Sequence, residues 1–546
     1  MEAAARALFS FENAALSDVA HVGEVAGEAA IFLFQFRECA AHCEKDYILA
    51  VNAYAVYIRP VMNSTPYLPA LRHQLGRFAS TLSALQNAPL PQLQLLLSSL
   101  LPAHLLSAND DGAHSRERIF SLRRVFFAFL WQVLNPTAAC REALRQLQAE
   151  ARLLGASLSD SDDTSAYCQA RQRLPRERLE QIYRHTALLA EQRIRDGQLW
   201  LGRVIKVVDG TTFSMPDTAE NQALYPQESQ QKPGCGFPLI RFVGVLSLAS
   251  GALLDHLTSS RRAHDIQLFD RLRESFRPGD VVLGDRGFSS YAQIGLLFQA
   301  GVHSVFRLHQ GRPETPGHRS SFQVIQKLGR RDWLVRWTKP GGKPAYMSQR
   351  DWERVPESLT VRIIKSSIRS SRVRTRKVIL VTTLLESKKY SALQLAALYR
   401  ERWQIELTFR NLKAVLQMDV LRCKSPEMIQ KEILMHFIAY NLIRLLMQEA
   451  AIVGSVPLER ISFKGALDTF RQYVTAMGTK RAQKRVRAIY RTLVGAIAQG
   501  QVPYRPGRRE PRAVKRRPKR HQLLTAPRHQ FREYRHRGKY PNRAWA

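Results

Sequence analysis

Two cations, a carboxylate and a phenol recur at fixed spacing between Tyr399 and Lys413, in the stretch YRERWQIELTFRNLK. At about 100° per residue, Tyr399, Arg402, Glu406 and Lys413 fall within roughly 60° of arc on a helix. They border an apolar stripe of Leu395, Leu398, Ile405, Phe409, Leu412 and Leu416. Two more carboxylates follow apolar, strand-like runs: Asp209 after VIKVV and Asp285 after VVLG. Taken singly, each Asp is an ordinary turn starter, and Arg402 with Glu406 is an ordinary i,i+4 pair. Taken together, the three carboxylates can converge at the strand ends of an α/β sheet. Carboxylates without permanent partners repel, so such a cluster is stable chiefly around cations. Hard oxygen donors with open positions favour Mg²⁺ or Mn²⁺. Two such ions roughly 3.5–4 Å apart serve phosphodiester displacement, one activating the attacking oxygen and the other stabilising the leaving one.

The elements that must position these groups are legible in outline. Ser391–Gln394, SALQ, has the form of a capping box, and neither Pro nor Gly follows until well past Lys413, so one helix is expected through the motif. Residues 62–195 read as helices, among them IFSLRRVFFAFLWQVL and REALRQLQAEARLL. From Leu201 the pattern turns to strands, VIKVVDGTTFSM, LIRFVGVLSLASGALLDHLT and GDVVLGDRGF, with a helical AHDIQLFDRLRESF before the last. Residues 311–375 are polar, strand-prone and rich in Arg and Lys, as expected of an insertion. Within it, RRDWLVRWTK carries Trp333 and Trp337 on one face of a strand, either as packing for a small sheet or as a platform for a base. RKVILVTTLL is a further strand, and Met435, Phe437, Leu442, Leu445 and Leu446 belong to the core. The expected layout is a helical region at 62–195, a catalytic α/β domain at 196–455, helices at 456–500 and a tail at 501–546. Residues 1–61 read as an extension upstream of a natural start at Met62, dispensable to the rest. The tail holds 15 Lys and Arg against two Glu, too polar and Pro-rich for a core of its own.

The charge narrows the partners. Across 546 residues, 82 Lys and Arg stand against 46 Asp and Glu, a net charge of +36. Such a field attracts a polyanion, and nucleic acid is the common one. No apolar run approaches the ~20 residues of a spanning helix, and AAIFLFQF at Ala29–Phe36 has neither the length nor a basic leader. A membrane partner is therefore not expected, and the cytoplasm is the expected location. The six Cys are scattered, as free thiols of a reducing compartment would be. Cys39, His42 and Cys43 lack the second pair of a zinc site. Walker, HExxH and Rossmann fingerprints are missing from the sequence. Arg286, Arg261 and Arg262 are further surface positions suited to phosphates.

Three blocks, VVDGTTFSMPDTAENQALYP, PGDVVLGDRGFSSY and YRERWQIELTFRNLK, resemble the signature blocks of bacterial insertion-sequence transposases of the DDE type, in particular the insertion-sequence-four family. That family's last block is Tyr, two residues, Arg, three residues, Glu, six residues, Lys. Tyr399, Arg402, Glu406 and Lys413 match it at every spacing. SAYCQARQRLP and PRAVKRRPKR are also similar to family segments, so the resemblance runs from roughly Met62 into the tail. It implies an RNase H-like catalytic core interrupted by a β-rich insertion, with an N-terminal helical DNA-binding region and a basic C-terminal tail. It implies Asp209, Asp285 and Glu406 as the catalytic and metal-binding triad, holding two Mg²⁺ or Mn²⁺ ions. Arg402 and Lys413 would hold phosphates near the scissile bond, and Tyr399 would contact flanking DNA. Trp337, or else Trp333, would stack on a base flipped from a bent end as a hairpin forms. The partners implied are double-stranded element ends and target DNA, with a homodimer in the synaptic complex at the bacterial nucleoid. Two readings of other classes stay open. A structure-selective nuclease would use the same carboxylates but never join ends; a non-catalytic DNA-binding protein would lose nothing with a carboxylate.

Overall fold

Strand β1 (Ile205–Ser214), IKVVDGTTFS, lies at the heart of a nine-stranded sheet, with Val207 and Val208 completely buried on its opposite faces. The other strands are β2 (Leu239–Ser247), β3 (Leu253–Ser260), β4 (Val281–Gly284), β5 (His303–Arg307), β6 (Phe322–Gly329), β7 (Asp332–Thr338), β8 (Ser358–Ser370) and β9 (Val373–Thr382). Their order is β3-β2-β1-β4-β5-β9-β8-β7-β6. β1, β4 and β5 run parallel to one another, and every other neighbouring pair is antiparallel. Helices before the sheet include α1 (Leu122–Leu134), α2 (Cys140–Leu153), α3 (Ser165–Gln172) and α4 (Arg176–Gln192). Short helices α5 (Ala219–Leu224), α6 (Asp265–Arg271), α7 (Tyr291–Gln299) and α8 (Gln349–Arg354) fill the connections. After β9 come α9 (Ala392–Glu401), α10 (Trp403–Arg410), α11 (Pro426–Val453), α12 (Phe463–Ala476) and α13 (Gln483–Gln499).

This computed structural model describes residues 93, 96–97, 99–106, 120–153, 161–260, 263–309, 322–370, 373–476, 483–503 and 530. Residues 1–61 with Cys39, His42 and Cys43, then Arg261, Arg262, residues 310–321 and nearly all of the tail lie outside them. The chain divides into two compact units, Met1–Ser83 with Arg481–Lys484, and Ala84–Lys480 with Arg485–Ala546; the second holds the sheet. Among the described residues no helix is long and apolar enough to cross a membrane.

The period-two alternation of the central strands builds two cores, one on each side of the sheet. Val207, Val281, Leu283 and Val305 face a layer containing Leu395, Leu398, Ile405 and the long helix α11. Val208, Val282 and Phe306 face Phe269, Ile294 and Leu297, continuous with Val335, Trp337, Val361 and Ile363 of the added strands. Helix α11 is buried nearly all round, including the five apolar residues expected in the core. Its fully buried Asn441 accepts from Leu253 N–H at 3.0 Å and donates to Leu253 C=O at 2.9 Å, so the polar side chain is satisfied against β3.

Strands β6 to β8 lengthen the same sheet beyond β9. Arg362 on β8 is 1% exposed and forms a fork with Asp332 of β7, Nε to Oδ1 at 2.8 Å and Nη2 to Oδ2 at 2.5 Å. Its remaining nitrogen Nη1 donates to Tyr390 C=O at 2.5 Å, just before the cap of α9. One buried side chain thus fastens the added strands to the start of the motif helix.

Candidate active site

Register brings the two aspartates together. β1 pairs with β4 through Ile205↔Val281, Lys206↔Val282 and Val207↔Leu283. Continued two residues further, that register sets Asp209 beside Asp285. Both share a face with Val207 and Leu283, the face covered by α9 and α10. The sequence reading puts Asp209 at a strand end, but β1 runs on to Ser214, because β2 stays paired from Asp209↔Gly244 to Ser214↔Leu239. Gly210 is therefore no turn glycine. An added Cβ would come within 2.7 Å of the Asp265 carboxylate, which Arg241 holds at 2.5 Å. Asp285 does begin a turn, its Oδ1 accepting from Gly287 N–H at 2.7 Å.

The motif helix is capped as its sequence predicts: Gln394 N–H donates to Ser391 Oγ at 3.2 Å, and Ser391 N–H to Gln394 Oε1 at 2.9 Å. All six residues of the apolar stripe are buried. Two irregularities interrupt the expected single helix. A one-residue turn at Arg402 (φ −50°, ψ −29°) separates α9 from α10. Residues Asn411–Val415 then form a π-turn, with Leu416 N–H bonded to Asn411 C=O at 2.9 Å.

Arg402 sits at the centre of the cluster. Its Nη1 donates to Asp209 Oδ2 and its Nη2 to Glu406 Oε1, each at 2.7 Å. The i,i+4 pair of the bland reading is present, but it is also the bridge between two of the three carboxylates. Tyr399 is buried beside it, within reach of the Arg402 charge. Lys413 is carried elsewhere by the π-turn: its Nζ lies 3.4 Å from Asp419 Oδ1 and 5.4 Å from the centre of the Phe213 ring. The segment beyond is stitched to the end of β1, with Ser214 N–H donating to Asp419 C=O at 3.1 Å and Leu421 N–H to Ser214 C=O at 2.8 Å.

Electrostatics tie the carboxylates into one system. Burial pushes the Asp209 pKa up to about 6, helped by the charges of Asp285 and Glu406 and opposed by Arg402 and Gly210 N–H. Burial likewise lifts Tyr399 to about 12, with Asp285 adding to it and Arg402 and Arg307 acting against it. Arg307 was not singled out from the sequence. It ends β5, and the β4–β5 register, Gly284↔Phe306, sets it next to Asp285. A cation closing the apolar run HSVF was the available signal. Among the described residues, no three His, Cys, Asp or Glu side chains are already drawn together as a metal cage. The donor set nonetheless suits a hard divalent cation, since an anionic Asp209 is held at an electrostatic disadvantage that a cation relieves.

The tryptophans part company. Trp337 is fully buried, edge-on to Tyr291 at 5.1 Å and tilted against Phe322 at 5.0 Å, so its faces belong to the core rather than to a base. Trp333 lies on the same face at the margin of that core, half-buried, with Lys365 Nζ 5.9 Å from its ring centre. Arg286 is exposed next to Asp285.

Comparison with known proteins adds to this geometry. A family profile described as "Transposase DDE domain" matches residues 200–442. The transposase InsG of insertion sequence element IS4 from Escherichia coli (strain K12) is 27% identical over 398 residues, covering 71% of this chain and 85% of its own. The transposase of insertion sequence element IS421 from Escherichia coli is 46% identical over 65 residues, 12% of this chain and 18% of its own. A piggyBac transposase, solved by cryo-EM as a synaptic complex with hairpin DNA, aligns with 74% of this chain and 85% of its own at 11% identity and a TM-score of 0.35.

Proposed function

We propose that this chain is a DDE transposase of the insertion-sequence-four family, and that it binds the terminal repeats of an insertion sequence and catalyses strand cleavage and strand transfer there. The observation that carries the reading is the Arg402 guanidinium bridging Asp209 and Glu406, with Asp285 set beside Asp209 by the β1–β4 register. The order β3-β2-β1-β4-β5, three antiparallel strands followed by two more parallel to β1, supports an RNase H-like core, with β6–β8 as its insertion. Asp209, Asp285 and Glu406 would hold two Mg²⁺ or Mn²⁺ ions, which supply an activated oxygen nucleophile and stabilise the leaving oxygen.

The chain's own residues do the rest. Arg402 serves as counter-charge before DNA arrives and exchanges its carboxylates for a phosphate when DNA is bound. Arg307, by register beside Asp285, holds the same phosphate region. Lys413, over Phe213, lies roughly 13 Å along β1 from Asp209, at about 3.3 Å per residue, and takes a phosphate farther along the strand. Tyr399 orients Arg402 from its buried position. Trp333, at the margin of the added strands, takes the stacking role on a flipped base in a hairpin route. Two copies acting on paired element ends, in the bacterial cytoplasm at the nucleoid, complete the reading.

Asp209→Asn, Asp285→Asn and Glu406→Gln are each expected to abolish cutting of end-bearing DNA in Mg²⁺ while DNA binding survives, with losses that are near-equal and do not add. A single variant that keeps near wild-type cutting refutes the triad. Joined products on a denaturing gel separate transposase from nuclease.

A further inference from the structure

Two cysteines far apart in sequence, Cys140 and Cys423, meet at one buried arginine, with a third, Cys168, one turn before it on the same helix. Arg171 on α3 is 8% exposed, its guanidinium 3.8 Å from the centre of the Phe129 ring. Nη1 donates to Cys140 Sγ at 3.1 Å and Nη2 to Cys423 Sγ at 3.3 Å, while Nε finds no acceptor among the described residues. The carboxylate whose charge reaches it, Glu432, is occupied by the N–H groups of Arg422 and Cys423. A guanidinium does not give up its proton, so a buried one needs an anion close by. The Cys140 sulfur collects two donors, Arg171 Nη1 and Gln132 Nε2 at 3.8 Å. That is the environment of a thiolate.

The three sulfurs differ accordingly. The hydrogen bond from Cys168 pulls Cys140 down to about 5, with the Arg171 charge assisting against burial. Giving that hydrogen bond pushes Cys168 well up, and burial adds to it. Burial, then the Glu432 charge, push Cys423 well up. The arginine thus favours Cys140 as the anion, with Cys168 the thiol one turn before Arg171 on the helix that faces it. Both Cys140 and Cys168 are partly exposed, open to a small oxidant.

We propose that Cys140 and Cys168 are a peroxide-reactive pair, in which Cys140 attacks hydrogen peroxide and Cys168 closes a disulfide. The Cys140 thiolate attacks one peroxide oxygen, the O–O bond breaks, and hydroxide leaves; sulfur is oxidised by two electrons to the sulfenic acid as peroxide is reduced. Cys168 sulfur then attacks Cys140 sulfur, the S–O bond breaks, and the departing hydroxide takes the Cys168 proton to form water. The disulfide joins α2 to α3 and removes the anion that balances Arg171, at the joint between the N-terminal helices and the segment following the motif helix.

The test uses the full-length chain, alkylated with iodoacetamide and read by peptide mass spectrometry. The Cys140 rate is expected to stay flat from about pH 6.5 to 8.5, where glutathione rises about tenfold per unit. Peroxide should yield a Cys140–Cys168 linked peptide in a non-reducing digest, and Cys168→Ser should leave a dimedone-trapped sulfenic acid at Cys140. Arg171→Gln should make the Cys140 rate rise with pH across that range; if that variant does not fold, the wild-type and Cys168→Ser readouts decide. A tenfold rise at wild-type Cys140, or peroxide treatment giving neither linkage nor dimedone adduct, overturns the proposal. A Cys140–Cys423 linkage overturns the role of Cys168.

Discussion

Replacing Asp209 with Asn should inactivate the protein and stabilise it. Burial and two neighbouring carboxylates hold the Asp209 pKa near 6, against an ordinary value of 3.8. The side chain is 19% exposed, so solvent screens it only in part. A group whose folded pKa is raised contributes stability that is fully present below its unfolded value and is lost as pH rises through the folded one. For Asp209 that window runs from about 4 to about 6. Above it, the ionised side chain costs up to about 3 kcal/mol, at about 1.4 kcal/mol per unit over roughly two units. Asn resembles the protonated acid at every pH and escapes this penalty. Urea unfolding in EDTA should therefore show Asp209→Asn more stable than wild type by up to about 3 kcal/mol at pH 7.5, the gap closing toward pH 4. Added Mg²⁺ should stabilise the wild type and leave the variant unmoved. A variant less stable at pH 7.5, or a gap that does not change with pH, refutes the reasoning.

Other expectations concern the added strands and the tail. Arg362→Met strands the buried Asp332 carboxylate and should lower unfolding stability by about 3–5 kcal/mol, much of it recovered by Arg362→Met with Asp332→Leu; equal single and double losses in urea refute the role of the pair. Trp337→Ala should cost about 3–5 kcal/mol and reduce all activities together. Trp333→Ala should leave first-strand nicking intact and block hairpin formation on a denaturing gel; loss of nicking as well would make it core. Removing residues 504–546, beyond the Gln501–Ile461 bridge, should flatten the fall of DNA affinity with salt and weaken all sequences alike, and an unchanged slope in a binding titration counts against phosphate contacts there.

What the sequence made legible was local. The capping box, the apolar stripe and the apolar runs VIKVV and VVLG each depend on neighbouring residues, and each is in the structure. The Asp-Gly pair misled, because continued pairing with β2 overrides the turn preference and the need for glycine comes from Asp265, far along the chain. The π-turn was illegible for a similar reason. It ends at Gln417, in the left-handed region (φ 54°), with Met418 N–H bonded to Leu412 C=O at 3.0 Å and no glycine to announce it. A helix drawn at uniform pitch therefore kept Lys413 with Glu406. Arg307 and the Cys140–Arg171–Cys423 cluster depend on which elements become neighbours, and that is decided by sheet order and helix packing.

The stitching of β1 to the segment 402–421 has a mechanical consequence. Arg402 fastens one end of that segment at Asp209, and the Ser214 bonds fasten the other five residues along the same strand. Glu406 hangs between two rivets on a single rail. A local opening that withdraws it must release a rivet first, and exchange of the Arg402 carboxylate for a phosphate releases only one. The backbone amides of α10 should then stay as slow to exchange with deuterium as those of β1 while Arg402 changes hands, so that a side-chain rearrangement precedes chemistry without any melting of the helix that carries it.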